Sequence, residues 1–300
     1  MAHDRTDPDH VHGDRGSARR DLAVAAGANS VLLVVQVIGA IAFGSLALMA
    51  DSVHQASDVV SLLLAVGIAG LIARPASRRY TFGLRRADAL GGLAHAVLLA
   101  AGAVLIVVEA IRRLGGEHHV DGLGVVVLAS VGLLINGLSA RWLHAGHGHS
   151  LNVEGAVLHL VADALGSLVV LVGGALVLLT DAGWVDPVAS MFVTALIVWS
   201  AWRLARASLH VLLDGVPAGV DLDELHALLL ADPLVSDAHH LHVRTLDGDT
   251  LSLTGHVTVQ TDQLHDAQRV THRLTEALAE EGIAHVTLQA ECHPCDEPDC

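Results

Sequence analysis

Six largely apolar runs of about twenty residues or more fill the first two-thirds of the chain: Leu22–Phe43, Leu48–Ile72, Ala87–Ile111, Gly122–Leu143, Val153–Thr180 and Trp184–Leu204. A helix needs roughly 20 such residues to cross the ~30 Å hydrocarbon core of a bilayer. In lipid, every backbone N–H and C=O must also be paired within the spanning element. The runs therefore predict a membrane-embedded bundle of six α-helices. Composition agrees: 52% of residues are hydrophobic and 16% charged, against about 25% charged in soluble proteins.

Orientation follows from the arginines, which make up all 17 cationic residues. Arg5, Arg15, Arg19 and Arg20 precede the first run, and Arg74, Arg78, Arg79, Arg85 and Arg86 lie between the second and third. Arg141 ends the fourth run, and Arg203 and Arg206 end the sixth. Only Arg112 and Arg113 fall on the opposite side. The positive-inside rule then predicts a multi-pass protein of the inner (plasma) membrane with both termini cytoplasmic. The polar stretch of residues 1–20 has no apolar core and does not read as a signal peptide. A net charge of -15 argues against nucleic acid as a partner. The chain holds three cysteines, Cys292, Cys295 and Cys300, all near its end. They cannot form a disulfide framework through the fold.

From about residue 212 the pattern turns soluble. DLDELHALLLAD reads as a short helix, AHHLHVRTL and TLSLTGHVTVQ as strands, QLHDAQRVTHRLTEALAEEG as an amphipathic helix and HVTLQAE as a third strand. The order αββαβ predicts a small cytoplasmic α+β domain, ferredoxin-like or metallochaperone-like, with helices on one face of a sheet. The expected organisation is a polar tail at 1–20, a transport domain at 21–211, the α+β domain at 212–291 and a cysteine-bearing tail at 292–300. Strand alternation puts His240 and His242 on the face opposite Leu241 and Val243. It likewise puts His256 opposite Val257, and His285, Gln289 and Glu291 opposite Val286 and Leu288. Histidines should thus gather on the helix-free face.

Within the second run, ADSVHQASD carries Asp51, His54 and Asp58 with no Lys or Arg to neutralise them. His54 and Asp58 are four residues apart and share one helix face. LHLVADALG in the fifth run repeats the spacing with His159 and Asp163. Brought face to face, the two pairs make a four-ligand N2O2 set suited to tetrahedral Zn2+. Ionisable groups inside a membrane are costly and mark ion or proton pathways. One pair alone would read equally well as polar contacts between helices; the repeat favours metal.

The sequence also resembles the cation diffusion facilitators, specifically their bacterial zinc/cadmium/cobalt efflux branch. The resemblance runs through GSLALMADSVHQASD, RRYTFGLRRADALGGLAHA, HGHSLNVEGAVLHLVADALGS, WVDPVASMFVTALIV and HHLHVRTLDGDTLSLTGHV, in that order over nearly the whole chain. It implies a homodimer that exports divalent cations, Zn2+ foremost with Cd2+ and Co2+, in exchange for protons. Its transport-site pattern falls on His54, Asp58, His159 and Asp163. It also implies cytoplasmic metal sites, with His239, His256 and Glu291 foremost and His240, His242, His265, His285 and Gln289 nearby. Zn2+ would then be both cargo and regulatory ligand, with no organic cofactor. The chain departs from the pattern at Gln36, where many relatives have Glu, at His95, where Asn is usual, and at Glu154, where this branch often has Arg. Its loop HAGHGHS is short where relatives often carry a long His-rich insert.

Secondary candidates are weaker. Asp51 either tunes the site or sits near the outer end of its helix. His95 is a metal waypoint, a proton carrier or a bonded interhelical group. Gln36 and Asn136 are expected to bond across helices, and Asp186-Pro187 to start a helix with Asp as its cap. His144, His147 and His149 gather metal at the entrance or simply form a loop; His3, His10 and His12 weigh less. Cys292, Cys295 and Cys300 form a tail metal site, helped by His293, or a disordered tail. A membrane metalloenzyme is the main alternative, yet the chain has no H-E-x-x-H, and a closed N2O2 shell leaves no position for catalytic water. A metal sensor without flux would need no intramembrane acids. No nucleotide-binding pattern occurs, so a gradient must drive transport.

Overall fold

A computed structural model of the chain describes Gly27 and residues 30–116, 118–146, 151–247, 250–261 and 263–292. Six helices come first: α1 (Ser30–Ala42), then α2 (Leu46–Ile72), α3 (Ala87–Leu114), α4 (Gly122–Gly146), α5 (Leu151–Thr180) and α6 (Val185–Leu212). Helices α2 to α6 are each long and apolar enough to cross a membrane, and α1 is a shorter apolar helix. The expected start of the first span at Leu22 lies outside the described residues.

These helices present apolar side chains outward, as a lipid solvent requires. Leu63 on α2, Leu105 on α3, Leu134 on α4 and Phe192 on α6 are each at least 60% exposed. The interior is built from small and branched residues: Leu48 and Ala50 on α2, Ala103 on α3, Val125 and Ala129 on α4, Val170 on α5 and Ile197 on α6. Small residues let backbones approach where no hydrophobic force separates helix from lipid.

The link from α1 to α2 is very short. Gly44 turns it with φ of 68°, and a Cβ there would come 2.9 Å from the His119 carbonyl oxygen. The Gly44 carbonyl accepts from Arg113 at 2.7 Å. Asp186 caps the start of α2: it accepts from Ser45 Oγ at 2.6 Å, Leu46 N at 2.6 Å and Ala47 N at 3.2 Å. This corrects the sequence expectation for Asp186, which lies in the first turn of α6 yet spends its oxygens on another helix. The free N–H groups at the α2 terminus, some 140 residues away in sequence, attract the carboxylate.

Backbone contacts separate two compact units, Met1–Leu63 with His95–Trp202, and Leu64–Ala94 with Arg203–Cys300. The second includes α7 (Leu222–Leu230), β1 (Val235–Asp247), β2 (Thr250–Val259), α8 (Leu264–Glu280) and β3 (His285–Glu291), the αββαβ order expected. Asp221 caps α7 through Asp223 N at 2.9 Å. The strands form one sheet in the order β1-β2-β3, with β1 antiparallel and β3 parallel to β2. Val270, Leu274 and Leu278 recur every four residues on α8 and bury against Val243, Leu253 and Val257 of the sheet.

Simple alternation fails on β1. His239 pairs with His256 and His242 with Thr254, so three steps on β1 match two on β2. A β-bulge absorbs the extra residue at His240, whose φ is 53°. His239 therefore leaves the Leu241 side and joins His256, while Leu241 still packs on the core side against Gly255.

Candidate metal sites

Two turns of α2 and two of α5 supply the intramembrane set. The i,i+4 spacing stacks His54 over Asp58 and His159 over Asp163. His54 Nε2 lies 3.8 Å from Asp163 Oδ1. His159 Nε2 lies 3.5 Å from Asp58 Oδ2 and 3.6 Å from Asp163 Oδ2. His54, Asp58 and Asp163 each offer a ligand atom within 4.8 Å of the others. Asp163 is 2% exposed, and Asp163 Oδ1, Asp58 Oδ2 and His54 Nδ1 are buried without hydrogen-bond partners. Acceptor atoms that approach one another yet make no hydrogen bonds leave a space whose electrostatics suit a cation.

The neighbouring candidates sort differently. His95 Nε2 on α3 meets the Ser57 hydroxyl in a short contact, so its ring is held by a residue adjacent to Asp58. Asp51 is 1% exposed and accepts from Gln36 Nε2 at 3.0 Å and Gln55 Nε2 at 3.3 Å. Gln36 thus bonds across helices as expected. Asn136 does not: it is fully buried, and neither its amide nitrogen nor its oxygen has a partner among the described residues. His144 is exposed at the end of α4. His147, His149, Cys295, Cys300, His293 and the histidines of the N-terminal tail lie outside the described residues. Cys292 is exposed.

A second cluster lies on the sheet face of the α+β domain. His239, His256 and Glu291 each offer a ligand atom within 4.8 Å of the others. Glu291 Oε1 is 2.8 Å from His256 Nδ1, and Glu291 Oε2 is 3.4 Å from His239 Nε2. His239 Nε2, His256 Nδ1 and Glu291 Oε2 are buried without hydrogen bonds. Such a donor set fits Zn2+ or a similar divalent ion.

Two supporting residues surround it. Asp237, which sequence reasoning missed, faces His239 Nδ1 at 3.0 Å. That contact fixes the tautomer and leaves Nε2 for a ligand. Gln289 donates to Glu291 Oε1 at 2.9 Å. The His240 ring lies 5.1 Å from those of both His239 and His256, and 6.5 Å from that of His242. Burial of the ring, followed by repulsion from His239, His256 and His242, holds the His240 pKa below the usual histidine value against a smaller pull from Glu291. The ring is therefore biased toward its neutral, ligand-competent form. His265 and His285 are exposed, and His285 sits opposite Ser252, four positions along β2 from His256.

Comparison with known proteins adds the family. The model of the cation efflux transmembrane domain matches residues 22–213, and that of the cation efflux protein cytoplasmic domain matches residues 217–293. The chain belongs to the cation efflux family. The metal cation efflux system protein CzcD of Cupriavidus metallidurans is 36% identical, over 97% of this chain and 92% of that protein. The zinc transporter ZitB of Escherichia coli is 36% identical, over 100% of this chain and 96% of its own length. A cadmium, cobalt and zinc/H(+)-K(+) antiporter of Bacillus subtilis is 29% identical, over 86% and 84%. The resemblance read from the five sequence blocks is borne out. This family member is a multi-pass membrane transporter of metal cations and not an enzyme.

Proposed function

We propose that this protein exports divalent cations, Zn2+ foremost with Cd2+ and Co2+ as further cargo, from the cytoplasm in exchange for protons. His54, Asp58, His159 and Asp163 carry the ion. The observation that carries this reading is the meeting of the two H-x-x-x-D pairs of α2 and α5, with Asp163 bridging both histidines at 3.8 and 3.6 Å. A divalent ion there needs ionised Asp and neutral His, so loading competes with protons for the same atoms. Re-protonation from the more acidic side then favours release. Rocking of the helices around the site would give access to one side at a time. The B. subtilis relative's name, which includes exchange with H+, supports the same coupling.

The reading extends to the assembly. The protein works as a homodimer with both termini in the cytoplasm. In the α+β domain His239, His256 and Glu291 hold a regulatory divalent ion, with His240, His242, His265, His285 and Gln289 as further candidates. Its charge offsets part of the acidity of this domain, which favours approach of two copies and biases the transport equilibrium.

The test is direct. Purified protein in sealed vesicles, given an outward proton gradient and external Zn2+, should accumulate zinc and alkalinise the lumen at matched rates. Collapse of the gradient should slow both and abolish zinc accumulation above the external level. Zinc uptake with no matching change in lumenal pH would overturn proton exchange.

A further inference from the structure

Asp51 is a buried carboxyl that the metal set does not use. It lies on α2 one turn before His54 and is 1% exposed. Its two oxygens have different surroundings. Oδ2 accepts two amide N–H groups, from Gln36 on α1 at 3.0 Å and from Gln55 on its own helix at 3.3 Å. Oδ1 has no hydrogen bond. It faces the backbone of Gly166 on α5, where a Cβ would approach within 3.0 Å. The hydroxyl of the next residue, Ser167, is also buried and lies near enough to act on the Asp51 carboxyl as a hydrogen-bond partner. On α4, the Cβ that Gly132 lacks would meet both Gln36 Nε2 and Ser167 Oγ at 3.1 Å. Two glycines thus leave room around one carboxyl oxygen and one hydroxyl. The one ionisable group acting on Asp51 from a packed element is Asp163, itself an acid. Among the described residues no arginine or histidine pairs with it.

The Ser167 hydroxyl beside Oδ1 can donate to an ionised carboxylate or accept from a protonated one, so this oxygen has a partner in either state. With two amide donors on Oδ2 and no cationic side chain paired with it, the carboxyl can lose and regain a proton in place. We propose that Asp51 carries one of the protons exchanged for metal, at Oδ1, separately from the four metal ligands. When a divalent ion occupies the tetrad, its charge offsets that of Asp163 and stabilises an ionised Asp51. The Oδ1–H bond breaks, the electron pair stays on the carboxylate, and the proton passes to water on the cytoplasmic side. When the ion leaves on the other side, Asp51 regains a proton from there. Gln36 and Gln55 hold Oδ2 in both states. This inference rests on the proton-exchange reading above and adds a named carrier to it.

The test counts protons. Zn2+ is titrated calorimetrically into the full-length protein in two buffers of different ionisation enthalpy, which gives the protons released per ion bound. Asp51→Asn should still bind zinc at the tetrad but release about one proton fewer, and Asp51→Glu should restore the count. In vesicles the proton-to-zinc ratio should fall by the same amount. An unchanged count in Asp51→Asn overturns the proposal, as does loss of tetrad binding in Asp51→Asn with recovery in Asp51→Glu, which would make residue 51 a ligand. If wild-type vesicles move zinc with no protons, the exchange reading fails on its own. Release on binding then still decides whether Asp51 gives up a proton.

Discussion

At the scale of single residues, the two clusters share one design: lone-pair atoms held close together without hydrogen bonds between them. In the α+β domain the support is visible, because Asp237 faces His239 Nδ1 and turns Nε2 toward Glu291. Outer carboxylates of this kind change metal affinity by about 10–100-fold. Asp237→Asn should weaken zinc binding at this site within that range and leave the intramembrane site unaffected, as competition with a chelating dye would report. Equal affinity at both sites in variant and wild type would remove Asp237 from the site. His240 adds a sign for pH. Its folded-state pKa is held below the ordinary value, so the unfolded chain takes up this proton first as pH falls. Stability from this group is therefore present above about 6.5 and is lost on acidification. Both effects turn on how β1 runs, and that was only partly legible in the sequence. Alternation sends His256 and Glu291 to one face, but His239 joined that set only through the family resemblance, because alternation carries no signal for the bulge that brings it there. A bulge costs one residue and leaves no mark in an apolar/polar pattern; the only trace is a run of histidines too dense for strict alternation.

At the scale of elements, the apolar runs and the i,i+4 pairs were legible because each is set by one local periodicity. The capping of α2 was not, because its carboxylate comes from Asp186 on α6 and serves Ser45, Leu46 and Ala47. No local signal links residues so far apart in sequence. Ser57 meeting His95 is hidden for the same reason. The cap matters because α2 carries half of the proposed transport set. Replacing a capping carboxylate typically costs about 0.5–2 kcal/mol, and here three donors lose their acceptor. Asp186→Ala should lower the thermal unfolding midpoint of the detergent-solubilised protein by about 2 kcal/mol equivalent. Asp186→Asn, which keeps an acceptor, should lose less. An unchanged midpoint in Asp186→Ala would show that water or another group satisfies the α2 terminus.

At the scale of the whole molecule, a transporter must let one site face two sides in turn, and only groups common to both states can carry the ion. The four proposed ligands come from just two helices, so relative motion of α2 and α5 would make or break the set without unfolding either. Asp163 is the hub of the proposed set, because it is the most buried of the four side chains and approaches both histidines. On the proposed reading, His54, Asp58, His159 and Asp163 are the single path for the metal. The decisive measurement is zinc flux in vesicles holding Asp58→Ala or Asp163→Ala protein, with size-exclusion mass confirming that each variant assembles as the wild type does. The expected result is zinc and proton flux reduced to the protein-free level in both variants. Wild-type zinc flux through either one would contradict it, since the ion would then travel by another route.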